Sequence, residues 1–230
     1  MPFTTETKEE ILDYCENHLP EDDWYEEQFD FILDEDLRER IIQEFKAIRF
    51  AYKLYEGITA EEENLVFEVR NQILAYASIY EAVIENVIET YYRDTEEYDK
   101  LTHEMVLKPY SLPQIKLDKL KNELDHDGKQ IIPAFYARSK KDSPKVRFAD
   151  KCNTAEELGL IHSFIGKDGE IVNLPTEIKN IYSYRNCIHL LAEKRKDITY
   201  ELDLSKKAYR RMRPFIDQIK EKLREDEKIS

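Results

Sequence analysis

The chain has 230 residues, with 35 basic and 49 acidic side chains for a net charge of −14, and 41% of it is hydrophobic. Fifteen tyrosines, ten phenylalanines and one tryptophan supply enough apolar surface for a core, which excludes a wholly disordered chain; five glycines exclude a collagen-like or linker-dominated one. The charge is divided unevenly: residues 1–100 hold 28 acids and 9 bases, net −19, and residues 101–230 hold 21 acids and 26 bases, net +5.

Elements follow in chain order. Residues 5–18 place Ile11, Leu12, Cys15 and Leu19 on one side of a helix that Pro20 ends. A second helix is expected over 23–33. A third, over 36–55, carries Leu37, Ile41, Phe45, Ile48, Tyr52 and Tyr55 at helical steps, with Gly57 as its stop. Thr59 and Glu62 have the spacing of a capping box for the next helix. That helix, from about 60 to 92, is the clearest element. Val66, Val69, Ile73, Tyr76, Tyr80, Val83 and Val87 alternate steps of three and four, with no interior Gly or Pro. At ~1.5 Å per residue it would run roughly 45–50 Å, a length that belongs to a helical bundle.

Residues 107–150 break the pattern. Pro109, Pro113, Pro133 and Pro144, with the turn Asp125-His126-Asp127-Gly128, predict an irregular insertion holding one short helix near 116–124 and a small hairpin. A helical pattern resumes at Thr154, which with Glu157 forms another candidate capping box, and Gly159 closes it. Pro175 suits the first turn of a helix over 175–194, and a last helix over 203–224 buries Leu204, Ala208, Met212, Phe215, Ile219 and Leu223. The expected organisation is an acidic helical extension over 1–56 and a helical domain over 57–230 that contains the insertion.

Cys15, Cys152 and Cys187 form no CxxC pair, which argues against a disulfide scaffold and for a reduced, cytoplasmic setting. No apolar run approaches the ~18 residues of a membrane span, and the acidic N-terminus is not a secretory signal, so no membrane association is expected. Phosphate-loop, GxSxG and HExxH signatures are missing, and Cys187 and His189 are badly spaced for joint ligation, so neither metal nor cofactor is expected.

One constellation carries chemistry: Tyr184-Arg185-Asn186-Cys187-Ile188-His189. On a continuous helix Arg185 and His189 lie one turn apart, roughly 80° and 120° from the centre of the buried face, as at the lip of a groove. A guanidinium can hold and neutralise a scissile phosphate, while an imidazole titrating near neutrality moves a proton on a ribose hydroxyl or leaving oxygen. The structural alternative is a salt bridge for Arg185 and a helix-edge position for His189. Nearby, residues 194–213 hold Lys194, Arg195, Lys196, Lys206, Lys207, Arg210, Arg211 and Arg213 against three acids, net +5, a candidate RNA surface or a solvated helix face.

The ordered set Ala75–Ile84, Arg147-Phe148-Ala149-Asp150-Lys151, Ala155–Ile161 and Tyr184–Leu190 resembles the HEPN superfamily, the higher-eukaryote and prokaryote nucleotide-binding domain. The resemblance covers residues 60–224 and is densest over 71–92 and 147–192. It implies an all-α, up-and-down bundle that usually dimerises and joins two Arg–His motifs in one cleft. Many members are metal-independent ribonucleases of toxin–antitoxin or anti-phage systems. Carried onto this chain, Arg185 would stabilise phosphate charge, His189 would be the general acid and base, and Asn186 would assist. The family motif has four to six residues between Arg and His; here there are three. The expected function is therefore a cytoplasmic, homodimeric endoribonuclease or RNA-binding protein. The alternative is a non-catalytic dimerisation or interaction module whose acidic N-terminal region takes a basic protein partner.

Overall fold

A computed structural model describes residues 2–124, 132–142, 146–187 and 200–229. In chain order the elements are α1 (Thr5–Glu16), α2 (Asp22–Gln28), α3 (Glu35–Gly57), α4 (Glu62–Tyr91), α5 (Glu96–Thr102), β1 (His103–Pro109), α6 (Gln114–Glu123), β2 (Ala134–Lys140), α7 (Phe148–Glu157), β3 (Phe164–Ile165), β4 (Ile171–Val172), α8 (Leu174–Arg185) and α9 (Leu202–Glu225). Helices dominate, beside two small antiparallel ribbons, β1–β2 and β3–β4. No helix among the described residues is long and apolar enough to cross a membrane.

The chain divides into two compact units, residues 1–93 with 147–230, and Asp94–Val146. The 1–56 stretch therefore shares a unit with the long helix, and the inserted unit starts earlier than the proline pattern suggests.

In the larger unit α4 is the centre, with α3, α7, α8 and α9 packed against it. Val69, Ile73, Tyr76, Tyr80, Val83 and Val87 of the expected stripe are buried, and so are Ala77, Ile79, Ile84 and Ile88 beside it. Burial this wide is what a helix enclosed by several neighbours requires. Tyr80 is fixed at both ends: its ring meets Phe215 edge-on at 4.8 Å, and its hydroxyl donates to the Ala208 carbonyl at 2.9 Å. Phe45 of α3 gathers Trp24, Tyr25, Phe29, Tyr76 and Tyr209 into one aromatic cluster.

Several ends differ from the sequence expectation. The second helix stops at Gln28 rather than 33. Gly57 is the last residue of α3; Thr59 takes the left-handed turn at φ +51°. A Cβ on Gly57 would lie 2.7 Å from the ring of Tyr14, so close approach to α1 is what this glycine permits. Thr59 does not cap α4, whose N-cap is Glu61 without a side-chain bond. Likewise α7 starts at Phe148, six residues before Thr154, because the Arg147 amide donates to the Asp150 carboxylate and secures the first turn. Thr154 is buried inside that helix. Gly159, at φ +76°, does end it: the amides of Gly159 and Leu160 donate to the carbonyls of Glu156 and Ala155.

In the inserted unit β1 and β2 pair in register from His103↔Lys140 to Pro109↔Ala134. The hairpin expected within 107–150 thus takes its first strand from residue 103. Helix α6 has no buried residue.

Candidate functional site

Asn173 starts α8 by accepting from the Thr176 amide, and Pro175 follows in the first turn. Leu174, Ile178 and Ile181 are buried, which leaves Tyr182 and Arg185 on the border of the packed face. Arg185 Nη1 donates to Glu81 Oε2 at 3.1 Å and to the Tyr182 hydroxyl at 2.7 Å. That hydroxyl in turn donates to Glu81 Oε1 at 2.9 Å. The guanidinium lies 5.0 Å from the centre of the Tyr182 ring, which stacks on Phe148 of α7 at 4.0 Å. Burial and the hydrogen bond to Glu81 raise the Tyr182 pKa against the opposing charge of Arg185, so the phenol stays protonated.

This network joins α4, α7 and α8. One turn beyond Glu81, Glu85 holds Lys151 of α7 at 2.6 Å. Nη1 carries both of the Arg185 bonds; Nη2 and Nε carry none among the described residues. Arg185 is 31% exposed, so part of its fork faces water.

The helix ends at Arg185, with Asn186 as its C-cap: the Asn186 amide donates to the Tyr182 carbonyl, and residues 186–187 form a turn. The one-turn relation of Arg185 to His189 expected from a helix over 175–194 therefore has no continuous helix behind it. His189 itself, with Lys194, Arg195 and Lys196, lies outside the described residues.

Of the remaining basic residues, Arg213 pairs with Asp217 within α9 at 3.6 Å, and the other four divide between two faces of that helix. Lys207 and Arg211 both pair with Glu177 of α8, Lys207 at 2.8 Å. Burial opposes ionisation of Glu177, but the hydrogen bonds from Arg211 and Lys207 outweigh it and hold the carboxyl below its ordinary value. Lys206 and Arg210 point the other way, into a cleft shared with Arg49 and Lys53 of α3. Among the described residues the candidate RNA surface is thus two separate arrangements, one of them an ion-pair cluster between α9 and α8.

Sequence reasoning missed Glu81. Its only signal was an acid pair, Glu81 and Glu85, at the edge of the α4 stripe. Cys152 is no nucleophile, since burial pushes its thiol up to about 12. No group of three potential metal ligands gathers among the described residues.

Comparison with models of known protein families, with characterised proteins and with solved structures finds no match to this chain.

Proposed function

We propose that this chain is a HEPN-like helical protein that acts on RNA as a metal-independent endoribonuclease or RNA-binding protein, in a defence or toxin–antitoxin setting and as a homodimer. The observation that carries the reading is the Arg185 fork. One nitrogen is anchored by Glu81 and Tyr182, which fixes the side chain, and the rest of a partly exposed guanidinium is left for a phosphate. Asn186 follows at the helix end. In this reading His189 moves the proton, and a second protomer completes the cleft.

The test is cleavage of a mixed pool of structured and single-stranded RNAs by purified protein without divalent metal. Turnover should fall at least a hundredfold in Arg185→Ala and in His189→Ala. Cleavage that persists in the double variant overturns the reading.

A second reading, a non-catalytic dimerisation or interaction module, is favoured by two observations. Arg185 of α8 is already ion-paired with Glu81 of α4, and Lys207 and Arg211 are engaged by Glu177. It expects no RNA turnover by the unaltered protein and a loss of folding stability on replacing Arg185.

A further inference from the structure

The cleft between α3, α4 and α9 has the opposite character to the Arg185 network. On α9, Lys206 and Arg210 stand one turn apart; on α3, Arg49 and Lys53 do the same, and all four line one cavity of about 210 Å³. Glu56 is the acid of this cavity, and Lys53 holds it at 2.6 Å. Lys206 and Arg210 have no acidic partner among the described residues. Arg49 is stacked on the Tyr209 ring at 3.9 Å, and its Nε is buried without a hydrogen-bond acceptor. In a chain of net charge −14, this is uncompensated positive charge held in a concave site. An entering oxyanion would relieve the mutual repulsion of these cations.

A second cavity of about 210 Å³ adjoins the first and shares Tyr209 and Arg210 with it. Its other walls are Trp24, Phe45, Met212 and Ile216, with Gln28 and Arg213 as polar groups beside them. Trp24 and Phe45 stand 6.1 Å apart, and Phe45 and Tyr209 6.4 Å. One lobe therefore suits an anion and the other a flat ring, and Tyr209 and Arg210 border both.

We propose that this double cleft binds a small phosphomonoester carried on a planar ring. Its phosphate sits among Arg49, Lys206 and Arg210, and its ring lies beside Trp24 and Tyr209. The site is separate from the Arg185 cluster. Tyr76, on the cleft side of α4, and Glu81, on the α8 side, are five residues apart, about 140° around the helix.

Trp24 is the single tryptophan of the chain, so its emission reports the ring lobe directly. The full chain is titrated with adenosine 5′-monophosphate and with phenyl phosphate, then with adenosine and with inorganic phosphate as half-ligands. The expected result is a saturable change in Trp24 emission with both phosphomonoesters, at least tenfold tighter than with either half-ligand. A Lys206→Gln, Arg210→Gln variant with an unchanged circular dichroism spectrum should bind at least tenfold more weakly. No saturable change with either phosphomonoester, or equal affinity in that variant, overturns the proposal. So does inorganic phosphate binding as tightly as adenosine 5′-monophosphate. A 5′-phosphorylated oligonucleotide that binds here when the two small probes do not overturns the small-molecule assignment.

Discussion

Arg185 and Glu81, 104 residues apart in the chain, meet at 3.1 Å between Nη1 and Oε2, with the Tyr182 hydroxyl bonded to both. The shared hydroxyl makes a three-member network of what would otherwise be a bridge between two side chains. Both charged groups keep some contact with water, so screening limits their coupling to about 1 kcal/mol. A urea-unfolding double-mutant cycle over Arg185→Ala and Glu81→Gln should return that value. A coupling of zero would mean that the pair does not join α8 to α4.

Glu177 ties α8 to α9 through Lys207 and Arg211, and its carboxyl is held below the ordinary value. A lowered folded-state pKa stabilises the fold fully above the unfolded value near 4.5, and that contribution is lost as pH falls through the folded value. Glu177→Gln should cost about 2 kcal/mol at neutral pH. In urea melts the gap between variant and parent should close as pH drops from about 5 toward about 3. A pH-independent gap contradicts the assignment.

Glu68 has the opposite sign. It is buried on α4, where burial raises its pKa against the hydrogen bond from Gln72, and its only charge is unopposed by a cation in that bond. The folded chain then holds this proton at pH values where the unfolded chain has released it, so stability falls as pH rises from about 4.5 through the folded value. Glu68→Gln keeps an acceptor for Gln72 and removes the charge. The variant should melt at a higher temperature than the parent at pH 7 and at the same temperature near pH 4. A lower melting temperature at pH 7 would contradict it.

Thr59 is a β-branched residue at φ +51° on an exposed turn between α3 and α4. Such a residue is strained there, and glycine is not. Thr59→Gly should stabilise the protein by about 0.5–1 kcal/mol, after allowing for the extra freedom of glycine in the unfolded chain. Destabilisation would mean that the threonine side chain makes a compensating contact.

What was legible in the sequence was periodic. The burial of α4 and the cores of α3 and α9 follow from apolar spacing, which acts within a few turns of one helix. Boundaries were read less well, since they depend on individual donors. The start of α7 rests on the Arg147 amide donating to the Asp150 side chain, at the end of a basic run that resembles a loop. The β1–β2 ribbon pairs segments separated by a helix, so no turn signal announces its register. At the candidate site Arg185 stood out by type, whereas Glu81 could be recognised only once α4 and α8 were side by side. The grouping of Lys206 and Arg210 apart from Lys207 and Arg211 likewise follows from which helix each face of α9 meets.

The discontinuity of the larger unit bears on how the chain is made. Helix α4 leaves the ribosome before α7, α8 and α9, and α9 begins about a hundred residues later. At roughly 5–20 residues per second, the centre of the core waits on the order of ten seconds for its last wall. During that interval only α3 among its long neighbours has been synthesised, and Tyr80 lacks Phe215 and the Ala208 carbonyl, both on α9. A nascent chain halted within the inserted unit should therefore be a strong client for chaperones that grip apolar helices, and one released after α9 should not.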